Sequence, residues 1–161
     1  MLTKPLLVSP EGRPIALSKV DQPIATLVDG TDPGVATGAP VSAGYIEMRP
    51  GAVSAPHCHP ATWVYVLLWS SGPLGAITMY GEEFEGLIHQ QPGELLVIPP
   101  GVPHAAANPS PSHGIRAFEF RGNPSFHADN VVRDDLRPHL LTQMPVLFDI
   151  PSARPGHRRD H

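Results

Sequence analysis

Three histidines of this 161-residue chain stand where a metal ion would need them. His57 and His59 are separated by a single residue. Side chains on a strand alternate faces with period two, so both imidazoles point one way and Cys58 points the other. His104 lies far along the chain, directly after Pro99-Pro100-Gly101-Val102-Pro103. A stretch that rigid sets where the following strand begins. Neutral imidazole nitrogen is a common ligand for iron, zinc, nickel and copper, whereas magnesium and calcium prefer oxygen. Spacing by itself leaves two readings open: a shared divalent transition metal on His57, His59 and His104, or three ordinary histidines.

The elements that must position these residues read as strands. With 15 glycines and 21 prolines the chain is punctuated too densely for a helical bundle, because both residues favour turns and proline breaks helices. Its length suits one domain with one core. From Val41 onward, apolar runs follow one another at intervals expected of an all-β sandwich or barrel. They are Gly44 to Met48, Trp63 to Trp69, Ala76 to Tyr80, Glu94 to Ile98 and Ile115 to Phe120. Arg49-Pro50-Gly51, Ser70-Ser71-Gly72-Pro73, Gln91-Pro92-Gly93 and Pro99-Pro100-Gly101 separate them as turns. Residues 1–40 carry two shorter runs, Leu6-Leu7-Val8 and Ile24 to Val28, expected as edge strands joined by turns. Val131 to Leu141 predicts one short helix, broken or kinked at Pro138 and packed on the barrel. The expected organisation is an N-terminal edge over 1–40, a barrel core over 41–122, an extension with the helix over 123–150, and a flexible tail over 151–161.

Two motifs sharpen this. Gly51, five residues, His57, one residue, His59 resembles the opening of the first cupin motif. Gly93, five residues, Pro99, one residue, Gly101, two residues, His104, three residues, Asn108 resembles the second cupin motif at every defined position. The resemblance covers roughly residues 41–122. It implies a cupin-type double-stranded β-helix, a jelly-roll barrel, with His57, His59 and His104 as the metal ligands. A homodimer is expected by the same analogy.

The chain departs from the family at one ligand. The first motif ordinarily carries a glutamate separated from its second histidine by three or four intervening residues. Those positions are Trp63 and Val64 here, and alignment on Tyr65-Val66-Leu67 points instead to Thr62. None supplies a carboxylate, so the fourth ligand is lost or replaced from elsewhere. Three neutral imidazoles leave the full dipositive charge on an ion, and the vacated position opens it to water, dioxygen or a chelating anion. Cupins with three-histidine sites include diketone-cleaving and thiol dioxygenases. The resemblance therefore implies a mononuclear non-haem iron dioxygenase acting on a small chelating organic substrate, with iron(II) favoured. Zinc, nickel, manganese or copper are the other metals compatible with the donor set. Two other functions stay open: a redox-neutral isomerase, cyclase or lyase using zinc or nickel as a Lewis acid, and a non-catalytic small-molecule or metal-binding module.

Trp63, Tyr65, Leu67 and Trp69 share one strand face, with Val64, Val66 and Leu68 on the other. If the first set lines the metal cavity, Trp63 or Tyr65 shapes the substrate pocket; core packing is the plainer reading of both sets. Glu47, Arg49 and Arg116 are expected at the surface, as are His89, His113, His127 and His139, and Asn108 is expected to stabilise a turn. A net charge of −4 without a basic stripe excludes nucleic acid as an expected partner. No apolar stretch approaches the roughly 20 residues of a membrane span. The start of the chain lacks a signal-peptide pattern and Cys58 is a lone cysteine, so a cytoplasmic location is expected.

Overall fold

A computed structural model describes residues 8–31 and 40–148. Two antiparallel sheets face each other. The strands are β1 (Ala16–Leu17), β2 (Pro23–Val28), β3 (Ser42–Met48), β4 (His57–Cys58), β5 (Val64–Ser70), β6 (Ala76–Tyr80), β7 (Gly86–Gln90), β8 (Leu95–Ile98), β9 (His104–Ala107), β10 (Ile115–Arg121) and β11 (Val131–Val132). The larger sheet has the order β1-β2-β3-β10-β5-β8, and the smaller β11-β4-β9-β6-β7. This is the all-β double-stranded β-helix that the motifs imply, with one short C-terminal helix.

The turns between strands follow from proline–glycine chemistry. In Arg49–Ala52, Gln91–Glu94 and Pro99–Val102 the fourth residue's N–H donates to the first residue's carbonyl, at 3.1, 3.1 and 3.4 Å. Proline takes the second position of each, and glycine the third with φ of 70°, 91° and 79°. Proline presets the negative φ of the second position, and glycine accepts the positive φ at the third without a Cβ penalty.

Burial differs between the sheets. Residues of β2, β3, β5 and β10 alternate, and Ile24, Ile46, Met48, Leu68, Ile115, Ala117 and Phe126 form a core inside the barrel. In the smaller sheet both faces of the central strands are covered. Thr78 and Ala106 look into the barrel, while Ile77, Met79, Ala105 and Ala107 pack with Leu136, Leu140 and Leu147 on the outside. Those leucines belong to a 3-10 turn (Asp134–Leu136) and to α1 (Arg137–Phe148).

The expected helix exists but is displaced. Val131–Val132 pairs with β4 as a strand, and α1 starts at Arg137. Pro138 sits in the first helical turn, where its missing N–H has no intrahelical acceptor to lose, so it opens the helix rather than breaking it. Ile24 to Val28 is a strand, yet not at an edge: β2 lies between β1 and β3. Leu6 and Leu7 lie outside the described residues, as does the tail expected over 151–161. β7 carries no signal that sets it apart, because Leu87, Ile88 and His89 are all exposed on an edge strand. His89 is at the surface as expected, on a strand.

Candidate metal centre

His57 opens β4 and His104 opens β9, and the two are direct cross-strand partners. Their ring centroids are 4.2 Å apart. His59 follows the end of β4, and its carbonyl accepts the Gly101 N–H at 2.9 Å. The turn before His104 is thus pinned to the backbone of the first motif. The His59 ring lies 5.2 Å from each of the other two. One ligand nitrogen from each histidine can be chosen so that all lie within 4.8 Å of one another, and all three residues are buried.

The electrostatics suit ligation. Nδ1 of His57 donates to the Ala55 carbonyl at 2.8 Å, and Nδ1 of His104 to the Val102 carbonyl at 3.0 Å. A carbonyl only accepts, so both rings carry their proton on Nδ1 and leave Nε2 as a free lone pair. Burial holds the His57 imidazole well below its ordinary value, helped by the neighbouring His104. Burial and the Arg121 guanidinium push His59 down to about 3. Burial lowers His104 as well, with Glu119 pulling partly the other way. All three are neutral near neutral pH, the state in which imidazole binds metals. Neither nitrogen of His59 has a protein partner although both are buried. Leaving a buried polar group unpaired costs about 1–3 kcal/mol, and an ion would take up one of these nitrogens. The donor set fits a divalent transition metal.

The position of the missing glutamate offers no carboxylate. Of its three candidates, Val64 and Thr62 are buried and Trp63 is exposed. Among the described residues no carboxylate joins the three histidines within ligand distance. A carboxylate does lie close by, on another strand. Glu119 of β10 lines a cavity of about 40 Å³ together with His57 and His104. It pairs inside the barrel with Arg121, whose Nε and Nη2 lie 2.6 and 2.5 Å from its Oε1. These residues are only 4% and 1% exposed. Sequence reasoning missed both. Ile115, Ala117, Glu119 and Arg121 alternate on one face, and two charges in such a stripe read as solvent-facing until the register is known.

The face of β5 that looks inward is Val64, Val66 and Leu68; Val66 and Leu68 line the cavity. The structure does not bring Trp63 or Tyr65 to it: they are 48% and 37% exposed on the outer side. Glu47 and Arg116 pair at the surface, 3.4 Å apart. Arg49 lies near them at a groove that His57, His59 and His104 do not line. Asn108 is fully buried and ties a turn together, its Nδ2 donating to the carbonyls of Arg49 and His113 at 2.9 and 2.8 Å. Cys58 is buried on the opposite side of β4 from the ligands, and burial raises its thiol.

The cupin family model matches residues 31–143. The chain belongs to the cupin family. Among curated proteins none matches it. Solved structures share this fold at low identity. A conserved double-stranded β-helix protein from Klebsiella pneumoniae is 16% identical, covering 75% of this chain and 91% of that one, with a TM-score of 0.56. A predicted oxalate decarboxylase from Thermotoga maritima is 10% identical, covering 72% and 97%, with a TM-score of 0.59. A DMSP lyase from Ruegeria pomeroyi is 17% identical, covering 77% of this cupin and 58% of the lyase, with a TM-score of 0.53. At such identities the likeness concerns the fold, and this fold hosts many chemistries.

Proposed function

We propose that this cupin is a metal-dependent oxidoreductase, a mononuclear non-haem iron dioxygenase acting on a small chelating organic substrate. The observation that carries the reading is a buried set of three neutral imidazoles with no carboxylate among the ligands. An iron(II) ion held by His57, His59 and His104 would supply open coordination positions and a one-electron couple. The chain supplies the rest. Carbonyls of Ala55 and Val102 fix the orientation of two ligand rings. Apolar walls from Ile46, Met48, Val66 and Leu68 keep bulk water away and admit only a small organic group. Protein loaded with iron(II) under anaerobic conditions is expected to consume dioxygen when offered small enolic or thiol chelators. Uptake no faster than that of free iron across such a panel would refute the assignment.

A redox-neutral reading has one observation in its favour. Glu119 places a carboxylate in the cavity, and isomerase or lyase chemistry needs a proton acceptor there. Full activity of the zinc form would select it over the dioxygenase. A metal held tightly without turnover in either form would leave a binding module. The proposal includes a homodimer and a cytoplasmic location. Exposed Leu95, Val97, Tyr65, Trp69 and Phe120 on neighbouring strands support the dimer, since such contiguous apolar faces mark interfaces. A monomer in sedimentation at micromolar concentration would count against it.

A further inference from the structure

The Glu119–Arg121 pair does more than fill space. Arg121 is held at two of its nitrogens: Nε donates to Glu119 Oε1 at 2.6 Å, and Nη1 donates to the Phe126 carbonyl and to Asn130 Oδ1, the latter at 2.6 Å. Its guanidinium also stacks 4.3 Å from the Phe126 ring centroid. Gly44 makes room for that ring, because a Cβ there would meet Phe126 at 2.4 Å. So fixed, the arginine anchors one oxygen of Glu119. Both contacts fall on Oε1. Among the described residues no hydrogen bond to Oε2 is found, and Glu119 lines the cavity.

The cavity's other polar walls, Gln22, Thr78 and Gln90, are neutral side chains, and Gln90 is fixed by its amide N–H groups, which donate to the carbonyls of Val66 and Glu94 at 2.8 and 2.7 Å. Neither lysine nor arginine lines the space, and its two histidines are ligands. An ionised carboxylate only accepts hydrogen bonds, and charge-assisted bonds are about twice as strong as neutral ones. A ligand here would therefore meet an ion held by the histidines on one side and a fixed carboxylate acceptor on the other. A cavity of about 40 Å³ exceeds the roughly 10–15 Å³ that one water needs, and so limits what enters to a few heavy atoms beyond the chelating group.

Resting on the metal reading above, we propose that Glu119 is a specificity-determining residue of this site. Its Oε2 accepts a hydrogen bond from an O–H or N–H group adjacent to the ligand atom held at the histidines. The site then takes small monoprotonated chelators, of the hydroxamic acid or α-hydroxycarbonyl kind, in preference to anions that carry no donor. Glu119→Gln tests the selection, because Arg121 retains an amide oxygen to bind while the group facing the cavity changes from acceptor to donor.

The experiment titrates zinc-loaded wild type and Glu119→Gln with acetohydroxamic acid and with azide, by calorimetry. Both proteins are expected to hold one zinc. Acetohydroxamic acid is expected to bind about tenfold more weakly to the variant, the loss of one charge-assisted hydrogen bond, while azide binds as well or better. Equal loss for both ligands, or no loss for either, overturns the selection. Zinc lost from the variant alone also overturns it, by making Glu119 a metal ligand. Zinc absent from both proteins would instead remove the metal reading beneath it. Should the variant not fold, wild type alone decides: acetohydroxamic acid must bind more tightly than its N-methyl derivative, which lacks the N–H, and parity overturns the inference.

Discussion

The two faces of the larger sheet are built from the same strands and treat charge in opposite ways. On β10, Arg121 and Glu119 are turned into the barrel, while Arg116 is turned outward to Glu47 on β3. The inner pair is 1% and 4% exposed, and its arginine has further acceptors from Phe126 and Asn130. The outer pair is 60% and 41% exposed in its side chains, with solvent around it. Aromatic residues divide in the same manner. Tyr45, Phe118 and Trp69 form a ladder on the outside, with centroid separations of 5.3 and 6.1 Å, whereas Phe126 is driven inside beneath Arg121. Sheet position, and not residue type, decides which ion pair belongs to the chemistry. A buried pair is dear to keep and dear to break, so its presence beside the histidines calls for a function, and a surface pair does not.

That contrast can be broken at several points. Substituting His104 with Ala is expected to abolish stoichiometric metal retention, read by elemental analysis of purified protein, while Ala at the exposed His89 should leave it intact. Lowering the pH should next destabilise the metal-free protein. Below the ordinary imidazole value of 6.5 the unfolded chain takes up protons that the buried histidines refuse, His59 down to about 3. Stability therefore falls as pH drops through that window. Thermal unfolding midpoints that stay level between pH 6.5 and 4 would contradict it.

Smaller effects separate the two faces directly. Arg121→Met leaves Glu119 buried without its partner and is expected to cost about 3–5 kcal/mol in chemical denaturation. Leu68→Ala, on the inner face of β5, should cost about 2–5 kcal/mol through the cavity it opens. Arg116→Met breaks the exposed pair and should change stability by less than about 1 kcal/mol. If Arg116→Met were as damaging as Arg121→Met, the distinction between the faces would collapse.

Much of this was legible beforehand, and for identifiable reasons. The three proline–glycine turns fix strand ends through local φ preferences alone, so β3 ends at Met48 and β8 runs over Leu95–Ile98, close to where the pattern put them. The histidine triad was legible through the cupin resemblance, since the period-two spacing and the rigid turn by themselves left three ordinary histidines open. β7 escaped because an exposed edge strand has no buried face to leave an alternation. Val131 to Leu141 is not the single helix expected because its apolar residues serve a strand bridge and a helix in succession, and Pro138, expected to break or kink the helix, stands in its first turn.

The sequence by itself determined the three histidines and their spacing, the turns and the absence of a carboxylate at the usual motif position, since each depends only on residue identity and near neighbours. Tertiary structure alone decided which face of β5 lines the cavity, and so sent Trp63 and Tyr65 outward. It also decided that Glu119 and Arg121 meet inside the barrel beside the histidines. Alternation along a strand fixes which residues travel together; only the closing of one sheet over the other says which set is shut in.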